Sequence, residues 1–121
     1  MSRTDLSVHI GSLHLKNPVL AASGTFGYGS EYGRFVDVSK LGGIVTKTLT
    51  LKPWPGNPPP RAAETASGML NSIGLQNVGV TAFIKEKLPY LQTLDTALVV
   101  NVGGGPSAEF VYVTERLVDC E

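Results

Sequence analysis

The chain has 121 residues, of which 42% are hydrophobic and 17% charged, a composition typical of a globular domain and not of a disordered chain. Its 10 basic and 10 acidic side chains cancel, so no excess charge favours nucleic acid or an anionic membrane as a partner. The polar start, Met1 to His9, and the lack of a long apolar stretch argue against a secretory signal and a membrane span. We therefore expect a cytoplasmic protein.

The cysteine and histidine content sets a further limit. A single cysteine, Cys120, excludes an internal disulfide. The two histidines lie far from Cys120 along the chain, so no ligand spacing typical of a metal centre is present. From the spacing alone we expect no metal site.

The first half of the chain alternates short apolar runs with glycine-rich turns. The predicted elements are a β-hairpin over Leu6–Ile10 and Leu13–Leu15 around Gly11-Ser12, a strand over Pro18–Ala22, a short helix starting near Ser30 with Tyr32, Phe35 and Val36 on one face, and a buried strand over Gly43–Thr46 that ends at Lys47. Five prolines follow between Pro53 and Pro60. They exclude helix and central strand, so Leu51–Pro60 is predicted to be an ordered or semi-rigid loop.

The second half continues the alternation of helix and strand. Its predicted elements are a helix capped by Asn77 with Val80, Phe83, Ile84, Leu88 and Leu91 at helical spacing, a kink or end at Pro89, a buried strand over Ala97–Val100 that ends at Asn101, and a helix opened by Ser107 with Phe110, Val113 and Leu117 facing inward. Strands that alternate with amphipathic helices are typical of βα units and a parallel sheet, so the sequence predicts an α/β fold with three βα units after the hairpin.

Each of the three predicted βα strands ends on a polar residue: Ser23, Lys47 or Asn101. In (β/α) folds, ligands bind at the carboxyl ends of the strands, so three polar ends in register favour a binding site. Lys47 is the most informative, because a cation at the mouth of a buried sheet needs an anionic partner such as a carboxylate, a phosphate or an electron-rich cofactor. The alternatives are that Ser23 and Asn101 form turns and that Lys47 extends to solvent.

Two glycine-containing loops are further candidates for ligand binding. Asn71–Leu75 offers an amide, a hydroxyl and backbone N–H groups beside a glycine, although taken alone it is equally a turn. The run Val102–Ala108 fits a dinucleotide-binding pattern, G-x-G-x-x-A. That match is weak, because Pro106 lacks an N–H and the acidic residue that should follow the next strand is not in this chain.

Four ordered segments together resemble one known family. They are Asn17–Gly24, Gly43–Thr48, Pro55–Arg61 and Asn71–Asn77, and they are similar to the opening of class 1 dihydroorotate dehydrogenases, particularly the NAD-linked branch. The resemblance extends to about Asn101. It implies a partial (β/α)8 TIM barrel, made of the N-terminal β-hairpin and the first three βα units, with residues 1–121 belonging to a single FMN-binding barrel domain.

The resemblance also implies an activity and its site residues. Members oxidise dihydroorotate to orotate in pyrimidine (UMP) biosynthesis: a cysteine base removes the proton from carbon 5, and hydride passes from carbon 6 to N5 of FMN. Carried over by position, Ser23, Lys47, Thr48 and Asn101 match contacts to FMN. The matching contacts to the substrate are Lys47, Asn71, Ser72, Ile73, Gly74 and Leu75. In the NAD-linked branch the catalytic subunit works with a second subunit that carries FAD and an iron–sulfur cluster.

Two departures from the family pattern shape the expectation. The glycine run Gly103–Gly105 replaces the usual small-residue turn after Asn101, and the Asn-x-x-Cys-Pro motif that holds the base is not in this chain. Cys120 has no proline after it and is not the base. We therefore expect a fragment that is inactive alone, and two alternatives stay open: a stand-alone nucleotide-binding module and a catalytically inactive interaction subunit.

Overall fold

The computed structural model describes residues 4–120, which divide into two compact units. The first unit contains the chain up to Lys47 together with Lys85–Asn101, and the second contains Thr48–Ile84 together with the chain from Val102 onward. The elements in chain order are β1 (Val8–Ile10), β2 (Leu13–Leu15), β3 (Leu20–Ala21), α1 (Ser23–Phe26), a 3₁₀ helix (Val38–Lys40), β4 (Gly43–Val45), β5 (Ala62–Thr65), β6 (Gly68–Asn71), α2 (Gly79–Ala82), a π-helical turn (Phe83–Lys87), α3 (Leu88–Leu91), β7 (Ala97–Val99) and α4 (Ser107–Val118).

A parallel sheet of three strands, in the order β3-β4-β7, is the centre of the first unit. Its register pairs Ala21 with Ile44, and Ile44 with Leu98. Close packing between β3 and β4 explains why β4 begins with a glycine, because a Cβ at Gly43 would lie 2.6 Å from Cδ2 of Leu20. Each strand precedes a helical segment in the chain, so the predicted mixed α/β organisation with a parallel sheet is confirmed.

The predicted N-terminal hairpin is also confirmed. Strands β1 and β2 pair antiparallel, with Ile10 opposite Leu13 at the turn. Gly11 takes φ +60° there, a conformation that costs a glycine little and other residues about 1 kcal/mol or more. Leu15 at the end of β2 is almost fully buried and contributes to the core of the first unit, with Tyr28, Val38, Ile44, Leu88 and Leu91.

The predicted helix near Ser30 is wrong. The segment after α1 is a series of turns, in which Gly27 has φ +58° and Gly29 has φ +85°. The hydrogen bonds of this segment are those of successive turns, from the N–H of Tyr32 to the carbonyl of Gly29 and from the N–H of Phe35 to that of Tyr32. The expected apolar face does not form, since Phe35 is 74% exposed. The helical structure lies on either side instead, in α1 and in the 3₁₀ helix, where the Asp37 carboxylate accepts hydrogen bonds from the Ser39 backbone N–H at 3.2 Å and hydroxyl at 2.6 Å.

The second unit contains a hairpin that the sequence does not predict. Strands β5 and β6 pair antiparallel, from Ala62 opposite Asn71 to Thr65 opposite Gly68. Every residue of both strands is exposed, so the segment has no alternation of buried and exposed positions from which a strand could be recognised. The proline loop before it is ordered, as predicted, because Trp54 and Asn77 exchange two backbone hydrogen bonds of 3.0 and 2.9 Å.

The helix predicted after Asn77 forms with an irregular middle. The side-chain oxygen of Asn77 accepts the Gly79 N–H at 2.9 Å, and Phe83 is fully buried, both as expected from the helical spacing. Five residues, Phe83–Lys87, take π-helical geometry directly before α3, where Pro89 lies in the first turn. Proline cannot donate to the residue four positions earlier, so the irregular turn agrees with the predicted kink.

Helix α4 begins at Ser107 as predicted, but its inward face is narrower than expected. Val113 is fully buried, whereas Phe110 is 40% exposed and Leu117 is half-buried. The prediction that Phe110 faces inward is therefore wrong: α4 contacts α2 and buries Val113, while the Phe110 side chain stays partly exposed. Across residues 4–120, none of the helices combines the length and the apolar character needed to cross a lipid bilayer.

Candidate functional site

Three of the polar residues singled out from the sequence lie at one edge of the sheet in the first unit. Val45 pairs with Val99 at the end of the β4–β7 ladder, and the Thr46 N–H extends the ladder to the carbonyl of Val99 at 2.9 Å. Lys47 and Asn101 follow directly, and Ser23 comes after the neighbouring β3 as the first residue of α1. The structure thus brings Ser23, Lys47 and Asn101 to the carboxyl edge of a parallel sheet.

Thr46 connects two strand ends at this edge, a role that was not predicted from the sequence. Its side chain is fully buried, and its hydroxyl oxygen accepts the backbone N–H of Asn101 at 3.2 Å. The hydroxyl therefore links the ends of β4 and β7. The available signal was a threonine at the end of an otherwise apolar strand, next to the candidate cation.

Lys47 is hydrogen-bonded to the rest of its unit through its backbone N–H and not through its ammonium group. Its N–H donates to the carbonyl of Gly27 at 3.2 Å, and the residue is half-buried. Within residues 4–120 its ammonium makes neither a hydrogen bond nor an ion pair. The anionic partner predicted for Lys47 is therefore not supplied by the described part of the chain, and the charge is available to a bound anion.

Thr48 begins the second unit and lies in contact with the turn after β7. A Cβ on Gly103 would come 2.6 Å from the Thr48 methyl carbon, and the Gly103 N–H donates to the carbonyl of Leu49 at 2.8 Å. Leu49 also forms a parallel bridge with Val102. Close backbone approach thus explains Gly103 without a nucleotide.

The rest of the glycine-rich turn is poorly suited to a phosphate. The carboxylate of Glu109 accepts the N–H of Gly105 at 3.2 Å, and Pro106 caps α4 without an N–H of its own. A carboxylate at this helix start places negative charge where a nucleotide would place its phosphate. The geometry argues against the nucleotide-binding alternative.

The loop Asn71–Leu75 in the second unit is fastened to the proline loop. The side-chain amide of Asn57 donates to the carbonyl of Ser72 at 3.1 Å and to its hydroxyl at 2.8 Å, and the Asn57 N–H donates to the carbonyl of Ile73 at 3.0 Å. Arg61 adds hydrogen bonds to the carbonyl of Asn57 and the side chain of Gln76, both at 2.6 Å. The loop is therefore pre-formed by its own chain.

Gly74 and Leu75 both have left-handed backbone conformations in this loop, with φ +74° and +59°. A Cβ at Gly74 would lie 2.7 Å from the backbone nitrogen of Asn57, so glycine is required for the loop to close on Asn57. Leu75 is the only non-glycine residue of the described chain with positive φ. Such outliers concentrate at functional sites, and its side chain is 51% exposed.

The three-stranded parallel sheet and the helical segments between its strands define a protein of the α/β class. The family model for dihydroorotate dehydrogenase matches residues 5–120. The chain belongs to the dihydroorotate dehydrogenase family.

Curated relatives support this assignment along the whole chain. The chain is 56% identical over 113 residues to the catalytic subunit of dihydroorotate dehydrogenase B (NAD(+)) of Thermoanaerobacter sp. (strain X514), covering 93% of this chain and 37% of that protein. It is 52% identical over 121 residues to the subunit of the same name from Alkaliphilus oremlandii, covering 100% of this chain and 40% of the relative. The subunit from Thermodesulfovibrio yellowstonii is 58% identical over 96% of this chain and 38% of its own length.

A solved structure of a dihydroorotate dehydrogenase also matches this chain. The crystal structure of DHODH from Eimeria tenella in complex with ferulenol matches with a TM-score of 0.60 and 28% identity, over 84% of this chain and 28% of that one. The chain thus spans about two fifths of the length of the curated relatives named above, between 37% and 40%.

Proposed function

We propose that this chain serves in the flavin-dependent oxidation of dihydroorotate to orotate, a step of pyrimidine (UMP) biosynthesis, as part of a cytoplasmic enzyme. Family membership over residues 5–120 supports the reaction. Among the individual residues, the main support for the proposal is Lys47, which is half-buried and whose ammonium has no partner in the described chain. The fold follows from the same proposal: residues 1–121 form the hairpin and first three βα units of a single (β/α)8 barrel domain.

The proposed cofactor is FMN, held by Ser23, Lys47, Thr48 and Asn101. The residues fit such a group, because the sheet edge carries a hydroxyl at Ser23 and a cation at Lys47. The hydroxyl of Thr46 fixes the backbone of Asn101 and so defines its position at this edge. FMN, when bound, supplies the two-electron acceptor for the reaction.

The role proposed for Lys47 is electrostatic. A fixed ammonium favours negative charge nearby, both on a reduced flavin ring and on the carboxylate of the substrate. Because its backbone is held by Gly27 and its ammonium has no competing partner in residues 4–120, the charge can pair with a ligand without first breaking an ion pair.

The proposed substrate-binding segment is Asn71, Ser72, Ile73, Gly74 and Leu75, together with Lys47. In this segment the groups tied to Asn57 are the carbonyls of Ser72 and Ile73 and the hydroxyl of Ser72. The side-chain amide of Asn71 makes no hydrogen bond within residues 4–120 and can donate to or accept from a ligand. Dihydroorotate has ring carbonyls, ring N–H groups and a carboxylate, which an amide and a cation can bind.

The proposed partner is an electron-transfer subunit that carries FAD and an iron–sulfur cluster. The curated relatives are each named as a catalytic subunit, and that word implies a further subunit in those proteins. We propose the same arrangement for this chain, with NAD(+) as the final acceptor.

A hybrid subunit tests the function. Residues 1–121 replace the aligned segment of the Alkaliphilus oremlandii catalytic subunit, which they match at full length. We expect the purified hybrid to be yellow and to convert dihydroorotate to orotate, followed by orotate absorbance. A hybrid with a native-like circular dichroism spectrum that neither binds FMN nor forms orotate would contradict the proposal.

A further inference from the structure

The N-terminal hairpin brings the two histidines of the chain together. His9 and His14 are direct cross-strand partners, and their ring centroids lie 4.7 Å apart with an angle of 50° between the rings. Both residues are exposed. Two imidazoles on one open face can bind the same ion, because imidazole nitrogen is the preferred protein ligand of several divalent transition metals.

The register of the hairpin makes this pair unusually close. Ile10 and Leu13 flank the two-residue turn and form its hydrogen-bonded pair, so His9 and His14 occupy the next, non-hydrogen-bonded position. At such positions the Cα atoms are only about 4.5 Å apart and the side chains stand side by side. Metal–nitrogen bonds of about 2.0–2.1 Å require two ligand nitrogens roughly 3 Å apart, a separation within reach of two rings whose centroids lie 4.7 Å apart.

The charges around the hairpin suit a cation. The carboxylate of Asp5 lies near both imidazoles: its pKa is held below the ordinary value first by hydrogen bonds from Ser7, and also by the charges of His14 and His9. Lys16, which directly follows β2, is neutralised by an ion pair of 2.8 Å with Asp95. Among the described residues, Lys16 therefore does not oppose an added positive ion at the hairpin.

We propose that His9 and His14 form a surface site for a divalent transition metal of the nickel, copper or zinc type. Binding replaces two waters of the hydrated ion with two neutral imidazole nitrogens, and any proton on those nitrogens leaves to solvent. Residues 4–120 contain no cluster of three or more potential ligands, so the remaining coordination positions stay with water. The spacing in the sequence predicts no metal site; strand pairing alone brings these two ligands together. The site is independent of the proposed oxidation of dihydroorotate.

Isothermal titration of the full 121-residue chain with Ni²⁺, without a histidine tag, tests the site. Two ligands held together typically bind roughly 10²- to 10⁴-fold more tightly than one, so His9→Gln and His14→Gln should each weaken Ni²⁺ binding by about 100-fold or more. A Cys120→Ser background removes the thiol as a competing ligand. A matched control combines His14→Gln with Thr81→His, which keeps two histidines but places one on an exposed position of α2.

Electron paramagnetic resonance with Cu²⁺ provides the second measurement. We expect hyperfine structure from two equivalent imidazole nitrogens in the parent and from one in either single variant. Circular dichroism confirms that the exposed substitutions leave the fold unchanged. Ni²⁺ affinity that is equal in the parent and the matched control, or a single-nitrogen Cu²⁺ spectrum in the parent, would overturn the proposal.

Discussion

The carboxyl edge of the parallel sheet and the loop Asn71–Leu75 are both candidate binding regions, but their polar groups are used differently. At the sheet edge, Lys47 has its backbone fixed and its charged group without a partner in the described chain. In the loop, Asn57 donates hydrogen bonds to the carbonyls of Ser72 and Ile73 and to the hydroxyl of Ser72. We interpret a polar group that has no partner in the described chain as a candidate ligand contact. A polar group that is hydrogen-bonded within the chain instead stabilises the loop.

This difference changes the explanation of why position 74 is a glycine. The glycine is needed because Asn57 lies against it, whether or not a ligand approaches. Loss of ligand binding on substitution of Gly74 would therefore follow from a displaced loop. Substitution of Lys47, in contrast, removes a charge and leaves the backbone bonds of the edge in place.

Gly74→Val should have the largest effect on the loop. A branched side chain at φ +74°, 2.7 Å from the backbone of Asn57, should cost about 2–5 kcal/mol of stability and abolish orotate binding in the hybrid subunit while FMN stays bound. Gly68→Val is the matched control, since a Cβ at Gly68 meets nothing within 4 Å. Denaturant unfolding and orotate titration measure both effects. Equal orotate affinity in the Gly74 variant and the parent would show that this loop does not bind the substrate.

Asn77→Ala should have the next largest effect on the second unit. Its buried side-chain oxygen accepts hydrogen bonds from the N–H and hydroxyl of Thr50 and from the N–H of Gly79. Leaving buried donors without an acceptor should lower the free energy of unfolding by about 2–4 kcal/mol. Asn77→Asp retains the acceptor and should lose less. An alanine variant as stable as the parent by urea denaturation would show that Asn77 does not hold this unit together.

Thr46→Val should have a smaller effect, confined to the sheet edge. Removing the hydroxyl that accepts the Asn101 N–H should cost about 1–3 kcal/mol of stability and weaken FMN binding in the hybrid subunit. Thr46→Ser keeps the acceptor and should restore FMN affinity. If the valine variant binds FMN as tightly as the parent, the position of Asn101 does not depend on Thr46.

Parts of the fold follow directly from local sequence pattern. The hairpin around Gly11, the buried strand before Lys47 and the start of α4 at Ser107 each carry a signal that acts over a few residues, either alternation, an apolar run or a turn. The helix predicted near Ser30 is wrong because its apolar spacing is a weak signal: the segment forms turns, and Phe35 is exposed.

Other features depend on contacts between distant residues. The β5–β6 hairpin has no buried face from which a strand could be read, and the bracing of the loop joins Asn57 to Ser72 across 15 positions of the chain. The pairing of His9 with His14 depends on strand register, which only the folded hairpin defines. Sequence motifs located the candidate segments; the partner of each side chain required the structure.

The rate of flavin reduction in a Lys47→Ala hybrid subunit tests the central claim most directly. Stopped-flow mixing of the FMN-loaded hybrid with dihydroorotate should show a loss of roughly 10²- to 10³-fold, typical for removal of one preorganised electrostatic group, together with weaker substrate binding. Lys85→Ala, which removes an exposed lysine of the same unit, should leave both values unchanged. Flavin reduction at the parent rate in the Lys47 variant would contradict the assignment of this sheet edge as the reaction site.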